Sequence, residues 1–207
     1  MRTLITCALS LTLAAGIAFT QEKGKGGGKG APGGGKAKGP GLTLTTTAFQ
    51  DGGVIPSKYT QDAGDAAVSP ALTWSNVPAN TQSFVLHMHD PDVAIGRNTN
   101  DVIHWIVWDI PADATSLPEG VKPEAMSANG MMQGKNNGNV VGYRGPGAPA
   151  AGPMHHYTFE LYALDTKLNI HPAADATPQA ALDQVKAAMQ GHINGKAVLV
   201  GRFIRAN

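Results

Sequence analysis

The sequence predicts a mostly β protein, an antiparallel β-sandwich with a few peripheral helices, and three observations carry that expectation. Several runs are rich in β-branched and aromatic residues and alternate apolar with polar positions. A single window repeats its apolar residues at helical spacing. The connections are dense in turn-forming residues, with 26 Gly and 14 Pro in 207 residues, which suits many short strands.

The elements follow in chain order. "MRTLITCALSLTLAAGIAFT" has one arginine, a short apolar run and then small residues, the layout of a secretory signal peptide over residues 1–20. Cleavage fits after Gly16 or after Thr20, and the only cysteine, Cys7, leaves with the peptide. The mature protein is therefore expected to be exported, without disulfides and without an integral membrane segment. Residues 21–40 are a Gly/Lys-rich run with almost nothing to bury, which predicts a flexible linker. Its Lys23, Lys25, Lys29, Lys36 and Lys38 face one acid, Glu22, whereas the chain after residue 40 has 10 Lys+Arg against 14 Asp+Glu, a formal net charge of −4. An acidic domain without a basic stripe argues against a nucleic-acid partner, and the basic run reads as a solubilising spacer.

Residues 41–207 make one domain. "LTLTTTAF" (42–49) alternates as a strand. "SFVLHMH" (83–89) puts Phe84, Leu86 and Met88 on one face and Val85, His87 and His89 on the other. "VIHWIVWDIP" (102–111) and "HHYTFELYALD" (155–165) are aromatic and β-branched runs closed by turn residues, and "KAVLVGRFI" (196–204) is the last strand. Between them, 111–143 and 144–154 lack periodicity, and loops that long are usually functional or disordered. "TPQAALDQVKAAMQGHI" (177–193) predicts a helix: Thr177 caps it, Pro178 suits its first turn, and Gly191 suits its exit. Ala181, Leu182, Val185, Ala188 and Met189 form its apolar stripe.

The densest chemistry stands in "HMHDPDVA", two histidines and two aspartates within six residues. Read with "VIHWIVWDIPA", "LPEG", "GNVVGYRGPGAP", "MHHYTFELYALD" and "AAMQGHINGKAVLVGRF" in that order, the chain resembles the phosphatidylethanolamine-binding protein family, in particular its bacterial, Raf-kinase-inhibitor-like branch. The resemblance spans roughly residues 42–206. It implies a β-sandwich with a small pocket at one end for phosphate-like or carboxylate groups. Carried over residue by residue, the pocket comprises Asp90, Pro91 and Asp92 of the Asp-Pro-Asp motif, His104 ahead of Trp105, the glycine loop Gly145, Pro146 and Gly147, and the pair His155 and Tyr157. This sequence departs from the family pattern at Val93–Ile95, where a proline is usual, at Val102, where an aromatic is usual, and in "GPGAP", where consecutive prolines are usual.

The residues support that assignment in part. His155 and Tyr157, two apart on a strand, share a face, and His156 points away. By the same alternation His104 shares its face with Ile106 and Trp108. Imidazole and phenol groups, aided by glycine-loop N–H groups, suit an anion, and Asp90 suits a histidine N–H, orienting the ring and favouring its protonated form. His87 and His89 with Asp90 approximate a set that holds a divalent ion, since two imidazoles and a carboxylate are typical ligands. The spacing is common and the resemblance predicts no ligands there, so no metal and no cofactor is expected. His171 and His192 read as structural.

The expected function is an exported small-ligand or anion-binding protein without turnover. The alternatives are an interaction or inhibitor protein acting on a partner enzyme and a hydrolase using Asp90 and a histidine. The last has little behind it, because no nucleophile-elbow motif occurs and the mature chain lacks a cysteine.

Overall fold

The long alternating runs become the inner strands of a large sheet in the computed structural model, which describes residues 40–94 and 97–206. The signal-peptide and linker readings fall, apart from Pro40, outside those residues. The strands are β1 (Thr43–Thr45), β2 (Gly53–Val54), β3 (Leu72–Ser75), β4 (Ser83–Asp90), β5 (Val102–Pro111), β6 (Ser116–Leu117), β7 (Met132–Gln133), β8 (His155–Leu164) and β9 (Ile193–Phe203). One helix, α1, runs Pro178–Met189, and two short 3-10 segments cover Ser57–Tyr59 and Gln61–Ala66. Among the described residues, no helix is long and apolar enough to cross a membrane.

Two sheets result, ordered β1-β3-β6 and β2-β9-β8-β4-β5-β7. All their pairings are antiparallel except β2 with β9, which run parallel at one edge. Because side chains alternate across a strand, the large sheet has two apolar faces. Phe84, Leu86, Met88, Trp105, Phe159 and Leu161 pack towards the small sheet with Leu44, Leu72 and Trp74. Val85, Ile103, Ile106 and Trp108 pack on the other face with Leu182, Val185 and Met189 of α1. Covering both faces explains why β5 is buried along almost its whole length. The helix starts as expected, with Thr177 Oγ1 accepting the Ala180 N–H at 3.2 Å, and Gly191 follows its end at φ +83°.

The strand expectations need three adjustments. Of residues 42–49 only Thr43–Thr45 pair, and β9 begins three residues before Lys196. The segment 111–143 is less formless than its composition suggests, since it contributes β6 and β7 to the two sheets.

The third correction decides the site. His104 does not share the face of Ile106 and Trp108. Met88 stands opposite Trp105 while the next residue, His89, stands opposite Ile103, which leaves His104 without a partner on β4. This is a β-bulge, one extra residue on one strand, and such irregularities re-aim side chains. Ile103 and Ile106 both remain on the helix side. His104 instead turns to the side of Trp105, where its ring meets Tyr157 edge-on, 5.0 Å between centroids and 86° between planes.

Candidate functional site

At the end of the sandwich, Asp90 closes β4 and His155 opens β8, its antiparallel neighbour. Both sit on the face that continues Met88 and Phe159, so both turn inward and are buried. His155 Nδ1–H donates to Asp90 Oδ2 at 2.8 Å. The other carboxylate oxygen, Oδ1, accepts the Asp92 N–H at 2.9 Å, an Asx-type turn that fixes the Asp-Pro-Asp corner. Asp90 is thereby held from both sides.

His104 is clamped through Arg144. Its carbonyl accepts the Arg144 N–H at 2.9 Å, and its Nδ1–H donates back to the Arg144 carbonyl at 2.8 Å. That second bond assigns the tautomer and leaves Nε2 as the ring's free atom. Burial holds the His104 pKa below the ordinary histidine value, so the neutral ring dominates near neutral pH and Nε2 is an acceptor. Tyr157 stands beside it with its phenol oxygen accepting N–H groups from Gly147 at 3.2 Å and Ala148 at 3.0 Å. Burial pushes this phenol up to about 12.

Together these groups surround a cavity of about 170 Å³. Asp90, His104, Gly147, His155 and Tyr157 line it, as the sequence proposes. Gln61, Arg144, Ala148 and Pro149 also line it, with Val93 and Val102 as aliphatic positions where the family pattern suggested other residues.

Pro91, Asp92, Gly145 and Pro146 do not reach the cavity wall. Pro91 is exposed at the corner, and Asp92 turns to His156, accepting from its backbone N–H at 2.5 Å and its ring at 2.9 Å. The glycine loop works differently from the expectation. Gly147 gives its N–H to Tyr157 rather than holding it for a ligand. What the loop needs from glycine is closeness: a Cβ on Gly145 would lie 2.7 Å from the Tyr59 carbonyl oxygen, and one on Gly147 2.4 Å from the Gln61 side chain. Gln61 answers by donating from Nε2 to the Gly145 carbonyl at 2.9 Å.

Sequence reasoning missed Arg144 and Gln61. Arg144 lies inside "GYRGPG" and its charge was the available signal. Gln61 reaches the site from a 3-10 segment 84 residues before Gly145, and nothing local marks it.

The second cluster of the "HMHD" run forms without Asp90. His87 and His89 lie on the α1 side of β4, opposite in facing to Asp90, as strand alternation requires. The carboxylate they meet is Glu160, which β8 sets directly opposite His87 in the ladder.

Comparisons with known proteins agree with this architecture. A family model described as "Phosphatidylethanolamine-binding protein" matches residues 45–204. A "UPF0098 protein" of Methanothermobacter thermautotrophicus is 40% identical over 164 residues, covering 79% of this chain and 99% of that protein. The crystal structure of a phosphatidylethanolamine-binding protein homologue from Chlamydia trachomatis superposes with a TM-score of 0.66 at 35% identity, covering 80% of this chain and 98% of the other. Escherichia coli YbcL, described as a member of the mammalian PEBP family, superposes with a TM-score of 0.68 at 25% identity, covering 80% and 99%.

Proposed function

The chain belongs to the phosphatidylethanolamine-binding protein family, and on that premise we propose that it is an exported binding protein whose cavity takes a small ligand by a phosphate- or carboxylate-like group. The observation that carries this reading is the Asp90–His155 pair at 2.8 Å, set in one wall with His104 and Arg144. Asp90 fixes the His155 ring through Nδ1 and leaves its Nε2 as the free atom. Arg144 supplies a permanent positive charge that offsets Asp90 when an anion enters. At about 170 Å³ the cavity suits a headgroup-sized moiety, below the range of about 300–1,000 Å³ typical of drug-sized ligands. Among its lining residues none is Ser, Thr or Cys, which favours binding over covalent turnover.

Calorimetry with inorganic phosphate and with phosphoethanolamine tests the assignment. His155→Ala is expected to cost about 1.5–3 kcal/mol of binding, the size of a charge-assisted hydrogen bond. His156→Ala, on the opposite strand face, should cost almost nothing. Sulfate keeps its charge across the acid range and serves for the pH series. Since burial lowers the His104 pKa from 6.5, Nε2 gains its proton only below that value, and sulfate binding should strengthen as pH falls past it. Equal losses at His155 and His156, together with pH-independent binding, would rule the pocket out. Export has its own test: mass spectrometry of protein from the native host should find a mature N-terminus at Ile17 or Gln21, and an intact Met1 would remove the proposal of a signal peptide.

A further inference from the structure

On the other face of the large sheet, we propose that His87, His89 and Glu160 bind a single divalent transition-metal cation of the zinc class. Strand alternation puts His87 and His89 side by side on β4, and the β4–β8 register puts Glu160 directly across from His87. The two imidazoles stack at 4.6 Å with 7° between their planes. From them His87 Nδ1 and His89 Nε2 converge on one carboxylate oxygen, Glu160 Oε2, at 3.9 and 3.8 Å. Those separations are too long for hydrogen bonds. They exceed the spacing of about 3.4 Å that tetrahedral zinc–nitrogen bonds of about 2.0–2.1 Å impose, so closing the set takes rotation of the two rings out of their parallel stack.

Two further observations point to a ligand. His87 Nδ1, His87 Nε2 and His89 Nε2 are buried and have no hydrogen-bond partner among the described residues, although buried polar groups are nearly always paired. His89 Nδ1–H donates to Asp101 Oδ2 at 2.6 Å, the carboxylate–histidine arrangement that orients a metal-binding ring and frees its other nitrogen. Two nitrogen ligands and one ionised oxygen leave an open fourth position, as in zinc sites that accept water or substrate. Beside His87, a cavity of about 160 Å³ opens between the sheet and α1.

Lys196 competes for the same carboxylate, donating to Glu160 Oε1 at 2.5 Å. Lys186 of α1 also bears on His87. Lys196 holds Oε1, so a cation on Oε2 need not displace it, and that cation would share Oε2 with the Tyr162 hydroxyl, which donates there at 2.6 Å. The positive charge of Lys196 still weakens cation binding, and Lys196→Met should tighten it.

The test is calorimetric titration of Zn²⁺ into the untagged, chelator-stripped full chain. One Zn²⁺ per chain with micromolar or tighter affinity is expected, together with a rise in melting temperature. Asp101→Asn, at a half-exposed position that does not threaten folding, should weaken binding about 10–100-fold, and Glu160→Gln should weaken it at least as much. His192→Gln, which alters an exposed histidine paired with Asp165 at 2.8 Å, should leave it unchanged. Circular dichroism verifies that each variant is folded. Absence of saturable binding, affinity indifferent to Asp101→Asn and Glu160→Gln, or an equal loss in His192→Gln would each overturn the site.

Discussion

On one face of the large sheet, His155 donates to Asp90 at 2.8 Å; on the other, His87 and Glu160 stand opposite each other on the same two strands with 3.9 Å between Nδ1 and Oε2. Both places join β4 to β8, and both combine imidazole with carboxylate. On the first face Asp90, His104, His155 and Tyr157 each make at least one hydrogen bond, and the ring nitrogens left free line a cavity. On the second, the buried ring of His87 and the partly buried ring of His89 keep nitrogens that nothing among the described residues satisfies. The difference teaches that residue type does not set a site's character. One face spends its hydrogen bonds on fixing the groups around a cavity, while the other leaves ring nitrogens unpaired among the described residues.

The largest effect that would break this comparison is Asp90→Ala. It strands the buried His155 and releases the Asp-Pro-Asp corner, so urea unfolding should show a loss of about 3–5 kcal/mol. Glu160→Ala, measured with chelator present, should cost less than half of that, because the imidazoles are not hydrogen-bonded to it and its partners Tyr162 and Lys196 can turn to solvent. Equal losses would mean that the two faces are built alike.

Acid should sharpen the contrast next. An unfolded chain protonates His87 from about pH 6.5 downward, whereas the folded one resists until about 4. Stability is therefore intact above 6.5 and falls between 6.5 and 4, by roughly 3 kcal/mol. The lowered pKa of Glu160 extends the loss below 4.5. His87→Leu should flatten the upper part of that decline in denaturation series run at stepped pH, and an unchanged slope would show that His87 is not responsible.

The smallest contrast compares two tyrosines of β8. Tyr157→Phe leaves the Gly147 and Ala148 N–H groups without an acceptor and should cost about 1–3 kcal/mol. Tyr162→Phe removes a 2.6 Å bond to Glu160, which keeps Lys196, and should cost under about 1 kcal/mol. Thermal melts of the two variants side by side would decide it.

Most of the fold was legible because four long strands and one helix announce themselves by period, and the motifs around Asp90, His155 and Tyr157 fall where alternation sends them. What escaped the sequence has physical reasons. The bulge at His104 breaks the period of two, and only the pairing of β4 with β5 reveals it. The role of Gly147 depends on how closely Gln61 packs, a contact between distant segments. Glu160 could be joined to His87 only by strand register, which hydrophobic pattern leaves unspecified to within two residues; the nearer acid in sequence, Asp90, was the natural but wrong partner.

The order of the large sheet has a consequence for crowded solutions. Its four long strands are all interior, and the outermost positions belong to β2 and β7, two residues each. The small sheet is bordered by β1 and β6, three and two residues long. A neighbouring molecule seeking to extend the small sheet would find room for only a few backbone hydrogen bonds, too few to repay alignment. The apolar, β-branched runs that dominate this sequence are those most prone to fibrous self-assembly, and the fold shields β4 and β8 by giving each a long strand on both sides, whereas β2 covers only Gly201 and Arg202 of β9.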